Sequence, residues 1–402
     1  MINIQKTAYW FLLLIIIALT TSPAFALGEA NRNLLLIGIM GLSPLLIIFF
    51  NNFQKSDIWI IILVVFVLII PNINHPSTMR WSTVLYMCMF YFTFMAYTRL
   101  LAKSKLAPLD FIKIIRALII AYTVVLIIQQ ICVLFGLPIF NVSGYSISEP
   151  WKLNSLSSEP SHTSRIVAFL MYCFIIVKEL VLRRPYSLNK DALNDKWLWI
   201  SFFWTMTTIG AGTSFIFLPL VLLKFLRLKD LLPLVIFILF LYALNAIFGI
   251  TAFERAYAVS LAVFTQDIET IVNVDHSASI RIVPILVLIP LLSITTLDGL
   301  FGHGIDYVGS ILYRMLPGIE KGMSGGGLLQ LWVEYGFIIF LVFSFGSIYF
   351  TFSKRNKLSI FFWFFLVFMY GVNNQILWLF IIFMYTVNFF TKARNVKTQH
   401  VQ

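Results

Sequence analysis

The feature that most constrains this chain is a succession of apolar blocks, such as 58–70 and 231–250, parted by short polar stretches. A helix needs roughly 20 predominantly apolar residues to cross about 30 Å of hydrocarbon, and several blocks approach or meet that length. None shows the apolar stripe and charged opposite face of a soluble helix. Composition agrees: of 402 residues, 60% are hydrophobic and only 11% charged, and the mean hydropathy is +0.92. Soluble domains carry about a quarter charged residues. The chain therefore reads as an all-α, polytopic membrane helical bundle, one integral domain over 1–402, with no soluble catalytic domain.

A net charge of +12 invites a nucleic-acid reading, but the distribution excludes it. The basic residues sit at the ends of apolar blocks, where cytoplasmic loops of membrane proteins concentrate Lys and Arg. Cys88, Cys132 and Cys173 lie within apolar blocks and read as small buried hydrophobes. His75, His162, His276, His303 and His400 are scattered, with no pair at ligand spacing. Neither a disulfide framework nor a metal site is expected, and no cofactor is called for.

At the N-terminal end, Lys6, an apolar run over 9–19 and Ser22-Pro23-Ala24-Phe25-Ala26 have the form of a secretory signal with an A-x-A site. The plainer reading is a first transmembrane helix that residues 24–27 prolong to a full crossing. On that basis twelve helices are expected, near 8–27, 34–50, 57–72, 81–97, 110–135, 164–182, 197–210, 213–227, 231–250, 327–351, 358–372 and 375–390. With a cytoplasmic N-terminus, twenty of the 29 Lys and Arg fall on the inner side and eight on the outer, and both termini are cytoplasmic. Two external segments are longer than connections require, 136–163 and 251–326. The second contains an apolar run over 282–297 with Pro284 and Pro290, read as interfacial or re-entrant. Loops of this length are usually functional or disordered, and this one is too apolar for disorder.

The ionisable groups of the outer side are where chemistry is to be sought, because charges near lipid are costly unless they face a cavity or ligand. Arg165, Arg281 and Arg314 share that side and suit bidentate capture of a phosphate or pyrophosphate. The structural alternative is that each anchors a loop to lipid headgroups. In the run 157–165, Glu159 is a candidate general base and His162 its alternate. The plainer reading makes this run a helix start, with Ser161 as cap and Glu159 favoured by the helix dipole. Gly302 and Gly304 carry no dinucleotide fingerprint; they let backbone approach a bulky ligand or break a helix. Glu334, about two turns into the helix over 327–351, is an intramembrane carboxylate, with a structural hydrogen bond as the alternative. Gln129, Gln130, Asn245, Asn373 and Asn374 read as polar glue between helices.

Taken together, Ser158-Glu159-Pro160-Ser161 before a helix with Arg165, an outer Arg281 followed by Gly302-His303-Gly304, and the run 329–336 with Glu334 and Gly336 resemble one bacterial superfamily. It is the O-antigen polymerase and ligase superfamily (Wzy-type and WaaL-type proteins). The resemblance implies a GT-C-like fold and a glycosyltransferase at the outer face of the inner membrane. Such enzymes move a glycan from undecaprenyl pyrophosphate to the next lipid-linked repeat unit, without metal, alongside a flippase and a chain-length regulator. Arginines would stabilise the departing pyrophosphate. Ligases of the superfamily carry a His near the start of the Glu-x-Gly helix. Gly325 and Gly326 occupy that position, which favours polymerase over ligase. A lipid-linked oligosaccharide flippase or other transporter is the rival from another class. Transporters bind cargo near the bilayer midplane between internal repeats. No repeat relates the halves of this chain, and its polar residues gather on one side.

The charge asymmetry generates the first prediction. Reporter fusions at Asn189 and Asp275 should report opposite sides of the membrane, cytoplasmic and external respectively. Both on one side would overturn the topology.

Overall fold

The computed structural model of the protein describes residues 3–22, 25–27, 30–141, 149–225, 258, 261–265, 267–274, 276–315, 325–352 and 357–399. For some of these, Arg281 and His276 among them, it describes the backbone alone. The expected helix over 231–250 lies outside the described residues.

The first half consists of α1 (Ile4–Thr20), a hairpin of β1 (Phe25–Leu27) and β2 (Ala30–Arg32), α2 (Leu34–Phe49), α3 (Lys55–Asn74), α4 (Trp81–Ser104) and α5 (Pro108–Leu134). After them come α6 (Pro160–Leu182), the short α7 (Asp191–Asn194), α8 (Lys196–Thr208) and α9 (Ser214–Leu222). The remainder comprises α10 (Ile268–Val274), α11 (His276–Leu288), α12 (Leu297–Phe301), α13 (Tyr307–Met315), α14 (Leu328–Tyr335) and α15 (Phe337–Thr351). Last are α16 (Ser359–Trp363), which runs on into a π turn over Phe364–Phe368, and α17 (Gln375–Gln399).

This is a helical membrane protein by composition and build. Among the described residues, four helices are long and apolar enough to cross a bilayer: α3, α4, α5 and the Gln375–Ala393 part of α17. Shorter apolar helices, α1, α2 and α15 among them, accompany these four. Helix α6 runs through the centre and is buried from Thr163 to Val177 without a break. A helix apolar on every side belongs inside a bundle, and α6 meets α5, α8, α9 and α17 there. Tyr172 stacks on Phe362 at 4.5 Å, and Phe169 packs on Phe380 at 5.2 Å. On the periphery Ile48 and Ile73 are about three-quarters exposed at 74% and 75%, as residues facing hydrocarbon would be.

A second, smaller core lies beside the bundle. Ile271, Val283, Leu288, Val308 and Leu312 from α10, α11 and α13 close on Leu329 and Val333 of α14. Part of the expected outer segment 251–326 is thus a packed helical layer seated on α14.

Several boundaries depart from the sequence reading, each for a local reason. Helix α1 stops at Thr20, and residues 25–27 form a hairpin strand, so 24–27 do not prolong the helix. The chain is drawn aside where Ser22 N–H donates to Leu156 O at 2.9 Å. Helix α6 begins at Pro160, because proline is preorganised for the first helical position and has no N–H to waste. The expected helix 327–351 divides at Gly336, whose φ of 92° lies outside the helical region. The run 358–372 ends in the π turn rather than continuing as an α-helix.

One buried ion pair ties three of the apolar helices together. Arg99 Nε and Nη2 both lie 3.0 Å from Asp57 Oδ2, and Arg99 Nη1 donates to Ile47 O at 2.7 Å. Asp57 Oδ2 also accepts the Gln54 N–H at 3.0 Å, capping the start of α3. Asp57 is 0% and Arg99 7% exposed, so losing one partner strands the other in an apolar setting. Arg99→Met or Asp57→Leu alone should lower stability by about 3–5 kcal/mol. The double variant should recover much of that loss. Unfolding midpoints in detergent, compared across the three variants, check this; additive losses would refute the pairing.

Candidate functional site

The first wall of the site grows from the polar turn that precedes α6. Asn154, Ser155 and Ser157 are buried although polar, because each finds backbone or side-chain partners. Ser155 N–H donates to Gln129 Oε1 at 2.8 Å and its hydroxyl donates to Tyr122 O at 2.6 Å. Asn154 Nδ2 donates to Ser158 O at 2.8 Å, and Thr163 Oγ1 donates to Asn154 O at 2.6 Å. A turn so fully bonded holds its outward-facing groups in place. Glu159 takes the N-cap position of α6, yet its carboxylate makes no capping bond. Instead Ser161 Oγ donates to Glu159 Oε2 at 2.9 Å, so Ser161 serves the carboxylate and is not the cap. His162 Nε2 lies 3.9 Å from the same oxygen, and its Nδ1 is hydrogen-bonded to Ser158 Oγ at 3.2 Å. Glu159 is 53% and His162 23% exposed.

The second wall is α14. Gln330 and Glu334, one helical turn apart, share a face, and Gln330 Nε2 donates to Glu334 Oε2 at 3.0 Å. Glu334 Oε1 accepts the Val308 N–H at 3.2 Å, so the carboxylate also holds the first turn of α13. With eight residues α14 is about 12 Å long, too short by itself to cross a bilayer, and it packs against α3.

Behind α14 runs the segment 298–306. His303 N–H donates to Val333 O at 2.8 Å and Gly304 N–H to Glu334 O at 3.3 Å. Gly302 has φ 93°, and a Cβ there would collide with Glu334 O; a Cβ at Gly336 would likewise collide with Leu300 O. Two backbones meet here at a distance only glycine permits. The segment is pinned from the far side by Asn74 Nδ2 to Gly302 O (2.6 Å), His75 Nε2 to Asp298 Oδ1 (3.1 Å) and Arg80 Nη1 to Asp306 Oδ2 (2.8 Å).

The third wall is the stretch 369–374 between the π turn and α17. Asn374 Oδ1 accepts the Ile376 N–H at 2.8 Å and so starts α17. The three walls enclose a cavity of about 300 Å³ lined by Glu159, His162, Gln330, Glu334, the glycines 325–327 and residues 369–374. Arg165, six residues after Glu159 and buried, places its guanidinium 4.9 Å from the Tyr370 ring centre, behind this third wall.

Of the residues expected from sequence, Glu159, His162 and Glu334 thus meet in one cavity, with Arg165 one side chain removed. Gly302 and Gly304 are not among the lining residues; they press on the backbone of Glu334 from behind. Arg314 ends α13, exposed and away from the cavity lining. Arg281 lies on α11, and its side chain is outside the described residues. Sequence reasoning missed Gln330, Tyr370 and Asn373 as site residues. Only the i, i+4 spacing of Gln330 to Glu334 signalled the first. Among the described residues no three His, Cys, Asp or Glu side chains gather as a metal-binding group.

The glycine packing makes a specific claim on stability. Gly302→Ala should destabilise the protein by more than about 1 kcal/mol, through both the positive φ and the collision with Glu334 O. Gly212→Ala, where a Cβ meets nothing within 4 Å, should be close to neutral. Unfolding midpoints for the two variants decide it, and equal effects would refute the close approach.

Comparison with protein-family models, curated proteins and solved structures gave no match for this chain.

Proposed function

We propose that this chain is a polymerase of lipid-linked oligosaccharide repeat units, a metal-independent glycosyltransferase of the O-antigen polymerase kind. It would transfer the growing glycan from undecaprenyl pyrophosphate to the next lipid-linked repeat unit at the outer face of the bacterial inner membrane. The reading includes twelve crossings in a GT-C-like arrangement, cytoplasmic termini and external segments at 136–163 and 251–326. A flippase and a chain-length regulator would be its partners.

The observation that carries the reading is the cavity itself. Glu159, His162 and Glu334, three ionisable residues singled out from sequence, line one polar chamber in a protein otherwise built of apolar helices. Glycosyl transfer requires the acceptor hydroxyl to lose a proton as the new bond forms. Glu159 is half exposed and fixed by Ser161, which suits a base that receives this proton. His162, 3.9 Å away, is placed to accept it onward or to replace Glu159. As the glycosidic bond to phosphate breaks, charge develops on the departing pyrophosphate, and arginines held nearby lower the barrier without reorganising. Arg165, whose guanidinium lies 4.9 Å from the Tyr370 ring centre, is assigned that task; Arg281 and Arg314 are the further candidates expected from sequence.

Glu159→Gln keeps the shape and cannot take the proton, so turnover should fall by about 10²–10⁴-fold. Cells carrying it should accumulate single lipid-linked repeat units while the protein inserts and persists normally. Arg165→Lys keeps the charge but loses the planar fork, and should also be impaired. Gel separation of glycan chain lengths beside a membrane immunoblot reads both outcomes. Long chains of normal length from Glu159→Gln would reduce that residue to a helix-start residue and turn attention to His162→Ala.

A further inference from the structure

We infer that the cavity between α6, α14 and the 369–374 stretch is a subsite for a neutral sugar ring, with Tyr370 and Asn373 as its recognition groups. Under the proposed function, on which this assignment rests, the ring is the acceptor's reacting sugar. Pyrophosphate recognition then falls to arginines that do not line the chamber.

Four observations lead there. The first is size: about 300 Å³ is at the small end of ligand pockets. It admits a ring or two and not a whole repeat unit with its lipid. The second is charge. Among the described residues no lysine or arginine lines the cavity, whereas two carboxyl groups do, an unfavourable lining for a pyrophosphate.

The third observation is unmet hydrogen bonding. Among the described residues, Tyr370 Oη and Asn373 Oδ1 are buried without a hydrogen-bond partner, and both belong to lining residues. Such atoms bear the full cost of leaving water, and a ligand rich in hydroxyls repays it by donating to and accepting from them. The neighbouring Asn374 shows the contrast, since its Oδ1 is occupied in starting α17. Asn373, one residue earlier, has no such structural duty for its oxygen. The fourth observation is the position of the base. Glu159 and His162 line the same chamber, so a ring seated against Tyr370 and Asn373 has a hydroxyl within the reach of the group that takes its proton.

The test uses the full chain purified in nanodiscs, with a panel of neutral mono- and disaccharides and inorganic pyrophosphate as probes. Saturation-transfer NMR on the wild type should detect at least one neutral sugar, and pyrophosphate should not displace it. Asn373→Ala should weaken that sugar's affinity by about 10-fold. Tyr370→Phe, which keeps the ring over Arg165, should weaken it to a similar degree with an unchanged unfolding midpoint. Absence of binding by every sugar in the panel, displacement by pyrophosphate, or unaltered affinity in both variants would overturn the assignment. Chain-length analysis of Glu159→Gln separates the two readings. If that variant polymerises normally while Asn373→Ala still loses sugar affinity, the subsite stands and the catalytic assignment falls.

Discussion

The region around the cavity depends on the grip that Glu334 exerts from inside α14. Its carboxylate receives the Val308 N–H in the first turn of α13 and the amide of Gln330, and its backbone oxygen receives the Gly304 N–H. A short helix of eight residues has little stability by itself, because nucleation is costly and few bonds reward it. Here α14 is held on one side by the 298–306 segment and the small core of Leu329 and Val333. On its other side Leu328, Leu331 and Tyr335 join the main core. The face left over, Gln330 and Glu334, looks into the cavity. The same carboxyl is thus a structural clasp and a wall of the candidate site.

The inner scaffold supplies rigidity of another kind. Helix α6 is encircled by apolar side chains, so its first turn has little freedom to tilt. The polar turn before it is anchored to α5 through Gln129 and Tyr122. Glu159 and His162 therefore project from a fixed helix end, and Arg165 lies one and a half turns deeper against Tyr370. Preorganisation of this sort is what a proton acceptor requires, since a side chain that wanders forfeits most of its rate advantage. Arg314, by contrast, lies in the last turn of a short helix and stands exposed.

Much of this was legible in the chain. Block lengths and composition point to a helical membrane protein, and the expected helices near 110 and 164 start within a few residues of the observed Pro108 and Pro160. Glu159, His162 and Glu334 stand out because ionisable groups are scarce in such a sequence. Other features were hidden. The break at Gly336 looks, in sequence, like one glycine inside a long apolar run, and its cause is a carbonyl of Leu300 more than thirty residues earlier. Tyr370 carries no local signal, and Asn373 reads in sequence only as polar glue between helices. Their significance comes from which cavity they border and which of their atoms go unpaired.

The division follows from the range of the forces involved. Apolar period, segment length and charge asymmetry act through each residue's own transfer between water and lipid. The sequence by itself therefore determined the class of protein, most helix positions and a short roster of residues with chemical potential. Hydrogen bonding and close packing need partners brought from far along the chain. Only the tertiary structure could decide that Gly302 lies behind Glu334 and does not line the cavity. It also set Ser161 on the Glu159 carboxylate and gathered α6, α14 and the approach to α17 around one chamber. Those choices rest on contact geometry, which no single segment encodes.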